Sequence, residues 1–108
     1  EVCKYLNLEI KYNRTSLADP NSQGQEKCER LASISKNLGF SNYVNVINDI
    51  YDKETFKSKN VNLFFNDHRI KPYNQFGKSF VSHLSIIDVL MFNSIRDTKK
   101  LILSYHII

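Results

Sequence analysis

Asp88 is the acidic residue that stands inside the most apolar stretch of the chain, residues 80–94. A carboxylate among apolar residues is costly to bury unless it accepts hydrogen bonds, so it serves a structural or a chemical purpose. In the structural interpretation Ser85 caps a helix and Asp88 reaches back to the backbone N–H of that serine, forming a capping box. In the chemical interpretation Asp88 lies in a cleft, where it transfers a proton or binds a substrate. The residues alone leave both interpretations open.

Polar side chains in the irregular segment just before this stretch are candidates for recognition of a ligand. Tyr73, Asn74 and Gln75 stand there, and polar loop residues are placed for recognition more often than for packing. His83 could titrate near neutral pH, but no acidic partner is close to it in sequence, which favours a structural role. The chain contains no glycine-rich phosphate loop, nucleophile elbow or metal-ligand spacing.

Two helices at the end of the chain would position these groups. Residues 84–92 have Ser85 and Asp88 at capping positions and almost no other polar side chain, which predicts the core helix of the domain. Ser94 and Asp97 repeat the capping pattern and predict the start of a final helix.

The front half of the chain alternates strand and helix patterns. Residues 8–12 alternate apolar and polar side chains, as in a half-buried strand. Apolar residues three and four apart predict an amphipathic helix over residues 25–38, ended by Gly39. A second strand is predicted over residues 43–46. This order predicts a βαβ unit in which the two strands are parallel.

The carboxyl ends of these two strands, residues 13–16 and 45–49, are where a βαβ unit places functional loops. Asp52 is predicted to cap a short helix over residues 51–56, and residues 61–65 alternate as a third strand. We therefore predict a single α/β domain for the 108 residues. It should contain a small parallel or mostly parallel sheet with flanking helices and a C-terminal helical pair.

Composition narrows the possible partners. The formal net charge of +4 comes from lysines and arginines scattered along the chain, so nucleic acid is not an expected partner. Cys3 and Cys28 are too few for a disulfide framework, and their spacing with the histidines fits no zinc pattern. No apolar run reaches the roughly 18 residues of a membrane span, and no signal-peptide pattern opens the sequence. These features predict a cytoplasmic protein and leave any cofactor unknown.

Three patterns near the end of the chain occur together: Tyr73-x-Gln75, Phe80-x-x-x-Leu84 and Ser85-Ile86-Ile87-Asp88-Val89-Leu90-x-Phe92-Asn93. In this order they resemble the closing signature of the WbqC-like protein family. Earlier segments agree with the family in order: the helix ending in Leu-Gly, the strand Tyr43-Val44-Asn45, and Tyr51-Asp52-x-Glu54-x-Phe56 before the third strand. The resemblance covers nearly the whole chain and is most specific over residues 85–93.

This resemblance implies a bacterial cytoplasmic protein encoded with enzymes of O-antigen and other surface-polysaccharide synthesis. It implies an enzyme, or part of one, that transfers an acyl or aminoacyl group to a nucleotide-linked amino sugar. The alternative is a non-catalytic domain that binds a sugar nucleotide or acts as a scaffold in the same pathway. Asp88 is the catalytic candidate. The candidates for substrate binding are Tyr73, Gln75, Ser85, Asn45 and Tyr51.

The chain departs from the family pattern in two ways. Family members are longer and begin with a segment containing a Gln-Pro pair and aromatic residues. We therefore expect this chain to be the C-terminal part of a longer protein, to lack its N-terminal half, and to self-associate through an exposed apolar face. The family's glycine-bearing loop is replaced by residues 45–51, which contain no glycine. If the family's loop binds a phosphate or sugar through backbone N–H groups, we expect this chain to bind it differently or not at all.

Overall fold

The computed structural model describes residues 1–47, 50–77 and 79–108. The helices are α1 (Val2–Tyr5), α2 (Thr15–Ala18), a 3₁₀ helix (Pro20–Ser22), α3 (Lys27–Asn37), α4 (Lys53–Ser58), α5 (Ile86–Phe92) and α6 (Ile95–Ile102). The strands are β1 (Asn42–Val46), β2 (Asn62–His68) and β3 (Tyr105–Ile107). These elements confirm the predicted mixed α/β class with its C-terminal helical pair.

The internal contacts of the chain define two compact units. The terminal unit contains Glu1–Ile10 and His68–His106, and the central unit contains Lys11–Asp67 and Ile107–Ile108. The single-domain organisation that we expected from the length of the chain stays a prediction.

The sheet has the strand order β1-β2-β3. β1 and β2 are parallel, with Asn42 opposite Asn62 at the start of the pair. Since α4 connects them, the βαβ unit of this chain is β1-α4-β2. Phe65 and Ile108 exchange two backbone hydrogen bonds of 2.8 and 3.0 Å, a pattern that belongs to antiparallel pairing.

The strand predicted over residues 8–12 is wrong, and so is its parallel pairing with residues 43–46. Residues 8–14 form neither helix nor strand, and the side chains of Ile10 and Tyr12 are 59% and 85% exposed. Alternation marks a strand only where a neighbouring strand takes up the backbone hydrogen bonds. The strand beside β1 is β2, which follows it in the chain.

The core of the central unit brings together one residue from α3, one from α4, the residue just before β2 and one residue of β2. Ala32, Phe56, Val61 and Leu63 are buried there. Phe56 also stacks on Tyr43 of β1, with 5.2 Å between the ring centroids. Helices α3 and α4 pack against each other around this cluster.

Helix α3 ends where the sequence predicts. Gly39 has a positive φ of 78°, a conformation that glycine adopts without a side-chain penalty. Its N–H donates to the carbonyl of Lys36, and the N–H of Phe40 donates to the carbonyl of Ser35, each at 2.9 Å. These two bonds form a Schellman motif, which directs the chain from α3 into β1.

Helix α5 begins at the predicted place, but it is not the core helix that its composition predicts. None of its residues is buried, and the side chains of Ile87 and Met91 are 61% and 71% exposed. Among the described residues of the terminal unit, Leu6 and Thr98 are fully buried. An apolar sequence indicates that a helix can be buried. How much of its surface is buried depends on the elements that pack around it.

Candidate functional site

Ser85 starts helix α5 and thereby sets the position of Asp88 one turn later. The hydroxyl oxygen of Ser85 accepts a hydrogen bond from the N–H of Ile87 at 3.2 Å. The N–H of Asp88 donates to the backbone carbonyl of Ser85 at 3.0 Å. Ser85 therefore caps the helix by itself, as the capping interpretation requires of it.

The carboxylate of Asp88 does not complete the capping box of the structural interpretation. Its Oδ2 atom accepts two hydrogen bonds, from the hydroxyl of Tyr73 at 2.5 Å and from the amide Nε2 of Gln75 at 2.9 Å. Charge-assisted bonds of this kind are about twice as strong as neutral ones. The partly buried carboxylate thus joins the irregular segment before α5 to the helix itself.

Gln75 is fixed at both ends of its amide group. The N–H of Val81 donates to its Oε1 at 2.8 Å, and its Nε2 donates to the carbonyl of Val81 at 3.1 Å. These two bonds determine which end of the amide faces Asp88. The side chain of Gln75 is consequently held ready to donate to the carboxylate.

The hydroxyl of Tyr73 is held in its protonated form. Its hydrogen bond to the Asp88 carboxylate is the largest cause of a raised pKa for Tyr73, because loss of the proton would place two negative charges side by side. The ring packs edge-to-face on Phe80, with centroids 5.1 Å apart and planes at 73°. With its hydrogen directed at Asp88, the hydroxyl oxygen of Tyr73 can only accept further hydrogen bonds. The neighbouring amide of Gln75 already acts on it in this way and lowers the pKa of Tyr73, against the larger effect of Asp88.

Tyr73 lines an apolar pocket of about 220 Å³ within the terminal unit, which we call the Tyr73 pocket. Its walls come from the 68–73 segment, the 80–84 segment and helices α5 and α6: His68, Ile70, Lys71, Tyr73, Phe80, His83, Leu84, Ile86, Val89 and Leu101. Asp88 does not line this pocket, whereas its partner Tyr73 does. A ligand in the pocket would therefore meet the carboxylate by way of the tyrosine.

Three polar residues at this pocket carried no site prediction. The Nε2 atom of His68 lies 3.1 Å from the carbonyl of Leu101, and since a carbonyl only accepts, this nitrogen carries the hydrogen. His83 has a positive φ of 60°, and its Nδ1 lies 2.9 Å from the hydroxyl of Ser82. Lys71 is the third. No sequence pattern pointed to His68 or Lys71, although Lys71 lies only two residues before Tyr73.

Gln75 lines a second and more polar pocket of about 320 Å³ in the terminal unit. Tyr73 and Phe80 line it too, together with the neighbouring loop residues Asn74 and Ser79. Tyr73 therefore borders both an apolar and a polar space.

Asn45 and Tyr51, the other two predicted substrate-binding residues, belong to the central unit. They line a pocket of about 500 Å³ together with Lys27 and Arg30 of α3. The amide oxygen of Asn45 accepts from the N–H of Val46 at 2.8 Å. The predicted functional loop 45–49 is described up to residue 47, and Asn48 and Asp49 lie outside the described residues.

The candidates thus form two groups, each within one compact unit. Tyr73, Gln75 and Asp88 are in direct contact, with Ser85 placing the helix that carries Asp88. No cluster of three metal-ligating side chains occurs in residues 1–47, 50–77 and 79–108. Within the same described ranges, no helix has the length and apolarity needed to cross a membrane.

Comparison with known proteins gives one match. No curated protein and no solved structure matches the chain significantly. The sequence model of the WbqC-like protein family matches residues 1–100, a range that includes all the residues of the Tyr73–Gln75–Asp88 cluster. The chain belongs to the WbqC-like protein family.

Proposed function

We propose that this chain provides the substrate site of a bacterial cytoplasmic transferase that acts in O-antigen or other surface-polysaccharide synthesis. In this proposal an acyl or aminoacyl group is transferred to the amine of a nucleotide-linked amino sugar. Family membership supports the pathway, and the hydrogen bonds around Asp88 support the chemistry.

The observation that carries the proposal is the hydrogen bond from Tyr73 to Asp88. Because the tyrosine O–H is directed at the carboxylate, the tyrosine oxygen faces a ligand only as an acceptor. A ligand group that donates a hydrogen bond, such as the amine or a hydroxyl of a sugar, matches this oxygen. A group that only accepts, such as a phosphate oxygen, does not.

The same pair offers a route for a proton. As the amine nitrogen attacks the acyl carbonyl carbon, the bond between that carbon and the leaving group breaks and the leaving group departs with the bonding electrons. The nitrogen, which now forms the new bond to carbon, must lose a proton. Tyr73 would accept this proton on its oxygen while releasing its own to Oδ2 of Asp88. Asp88 is the base in this scheme, and Gln75 keeps its carboxylate in place through the bond at 2.9 Å.

The size and lining of the Tyr73 pocket limit what it can hold. At about 220 Å³ it lies below the usual range of roughly 300–1,000 Å³ for drug-sized ligands. A sugar ring or a short acyl group suits this space better than a whole sugar nucleotide. The apolar walls, including Phe80 and Leu84, would also exclude water from a reactive acyl group.

One observation favours the alternative, a non-catalytic domain that binds a sugar nucleotide or acts as a scaffold in the same pathway. Both hydrogen bonds to Asp88 fall on the same oxygen and come from the protein itself, and Asp88 does not line the Tyr73 pocket. A carboxylate used in this way can simply fix the loop that forms a binding site.

An assay with the full-length protein separates the two functions. The protein is incubated with a UDP-linked amino sugar and acetyl-CoA or an aminoacyl donor, and the N-acylated product is detected by mass spectrometry. We expect Tyr73→Phe and Asp88→Asn to abolish product formation while keeping the fold. In Asp88→Asn the amide oxygen can accept both hydrogen bonds that Oδ2 now accepts, and in Tyr73→Phe the ring still packs on Phe80 while Gln75 still donates to Asp88. Asp97→Asn, a matched change at the start of the next helix, should leave product formation intact.

Sugar-nucleotide binding without turnover, equal in the wild type and both variants, would refute the transferase. Binding that Asp88→Asn weakens, again without turnover, would instead support the binding domain.

A further inference from the structure

The pocket of the central unit is lined by two cations on consecutive turns of one helix. Lys27 and Arg30 stand three residues apart in α3, which places them on the same side of the helix. The other polar residues in the lining carry no charge at neutral pH: Thr15, Gln25, Tyr43, Asn45 and Tyr51. Among the described residues that line it, this pocket therefore has a net positive charge.

Among the described residues, none forms an ion pair with Arg30. Its Nε atom is buried and has no hydrogen-bond partner, although a buried donor left unpaired costs about 1–3 kcal/mol. Within the described ranges no ion pair joins a carboxylate to Lys27 or Arg30; the Lys100–Asp97 pair lies in the terminal unit. A buried guanidinium nitrogen without a protein partner, beside a pocket of positive charge, is a donor that a bound anion can satisfy.

The aromatic side of the pocket is held in place. The ammonium of Lys27 lies 5.0 Å from the centroid of the Tyr51 ring, a cation–π contact. Tyr43 is fixed by its stacking on Phe56, and its burial raises the pKa of its hydroxyl. The hydroxyl of Tyr43 therefore stays protonated at neutral pH and can donate a hydrogen bond to an anion.

The volume of the pocket matches a ligand larger than a single phosphate. At about 500 Å³ it lies within the range of roughly 300–1,000 Å³ typical of small-molecule sites. Two cations, uncharged hydrogen-bonding groups and a tyrosine ring correspond to the parts of a nucleotide: its phosphates, its ribose hydroxyls and its base.

We propose that this pocket binds a nucleoside diphosphate, with Arg30 and Lys27 on the diphosphate and with Asn45 and Tyr51 on the nucleoside. The positive charge and the unpaired guanidinium nitrogen specify an anion. The choice of a nucleoside diphosphate among anions rests on the proposed function, in which the substrate is a sugar nucleotide. The Lys27–Arg30 pair is thus a phosphate site separate from the Tyr73–Asp88 pair.

Titration calorimetry of the full-length protein tests this proposal, with UDP, inorganic phosphate and uridine as probes. We expect UDP to bind, phosphate to bind more weakly and uridine not to bind. Arg30→Gln and Lys27→Gln should each weaken UDP binding by about ten-fold or more, the usual size of a lost hydrogen bond to a charged group. Added salt should weaken binding in the wild type as well.

Lys36→Gln is the matched control, because Lys36 is an exposed lysine in the last turn of the same helix and does not line this pocket. It should bind UDP like the wild type. Since Arg30→Gln alters a partly buried residue, melting curves accompany the titrations, and the exposed Lys27→Gln serves as the second variant. Absence of UDP binding in the wild type, or equal UDP affinity in Lys27→Gln and Lys36→Gln, would overturn the proposal.

Asp88→Asn distinguishes this inference from the proposed function. UDP lacks the amino sugar, so its affinity should be the same in the wild type and in Asp88→Asn. UDP binding that depends on Lys27, in a protein without transfer activity, would keep the phosphate site and reject the transferase. Transfer activity that depends on Asp88, in a protein that binds no UDP, would keep the transferase and reject the phosphate site.

Discussion

The starts of helices α5 and α6 have the same residue pattern, Ser-x-x-Asp, and use it differently. In α6 the pair is closed: the N–H of Asp97 donates to the hydroxyl oxygen of Ser94 at 3.1 Å, and that hydroxyl donates to Oδ2 of Asp97 at 2.8 Å. In α5 the serine caps alone, and Asp88 accepts from Tyr73 and Gln75 instead.

The difference follows from what lies beside each aspartate. Asp97 is exposed and has Lys100 one turn further on, with 3.2 Å between Nζ and Oδ1. Asp88 lies close to a segment that supplies two neutral donors, one of them fixed by its own bonds to Val81. A serine N-cap accepts from a backbone N–H in the first turn of its own helix. The carboxylate three residues later is free to accept from stronger donors elsewhere in the unit, such as Tyr73 and Gln75.

The largest effect on stability that we expect comes from removing the Asp88 carboxylate. Asp88→Ala should lower the free energy of unfolding by about 1.5–3 kcal/mol, because two hydrogen bonds to a charged acceptor are lost. The matched Asp97→Ala should cost less, since water can replace an exposed carboxylate. Urea denaturation of both variants measures the difference. Equal losses would mean that Asp88 acts only at the helix start.

The two serines provide the next comparison. Ser94→Ala should cost about 1–2 kcal/mol and Ser85→Ala about 0.5–1 kcal/mol, both within the usual range for an N-cap. The larger value belongs to Ser94 because its hydroxyl makes two bonds to Asp97, whereas Ser85 makes one to Ile87. Thermal melting of the two variants compares them. A larger loss of stability in Ser85→Ala than in Ser94→Ala would show that the Ser85 hydroxyl stabilises the protein through more than its hydrogen bond at the helix start.

Alkaline pH should weaken the Tyr73–Asp88 bond. The hydrogen bond to Asp88 raises the pKa of Tyr73 above its ordinary value of 10.0. The stabilising bond is therefore fully present below the ordinary pKa and is lost as the pH rises through the raised one. An absorbance titration of Asp88→Asn should show one tyrosine that ionises at lower pH than in the wild type. Identical titrations in the two proteins would contradict this bond in solution.

The smallest effect belongs to Asp97 at acidic pH. The hydrogen bond from the Ser94 hydroxyl, followed by the contact with Lys100, lowers the pKa of Asp97 below its ordinary value of 3.8. The stabilisation is therefore present above that ordinary value and is lost as the pH falls through the lowered one. NMR titration should show the Asp97 pKa rising in Ser94→Ala. Since the site is exposed, high salt should reduce only the smaller contribution of Lys100. A pKa unchanged in Ser94→Ala would contradict the closed serine–aspartate pair.

Helix ends were predictable from sequence because each depends on a few neighbouring residues. Ser85, Ser94 and Asp52 start helices where predicted, and Gly39 ends α3. The contact of Tyr73 and Gln75 with Asp88 could be anticipated only through the family resemblance, since no residue spacing within the chain specifies it. Lys27 and Arg30 gave no site signal, because lysine and arginine on a helix are usually a solvated surface.

The sequence by itself determined the local structure: which residues begin and end the helices, and which segments carry the alternation of β1 and β2. The tertiary structure alone decided that β2, and not residues 8–12, pairs with β1. It also decided that the core of the central unit forms around Phe56 while α5 keeps exposed apolar side chains. The physical reason is range. Caps and turns are satisfied by hydrogen bonds within about four residues, whereas strand pairing, burial and the partners of a carboxylate depend on segments far apart in the chain.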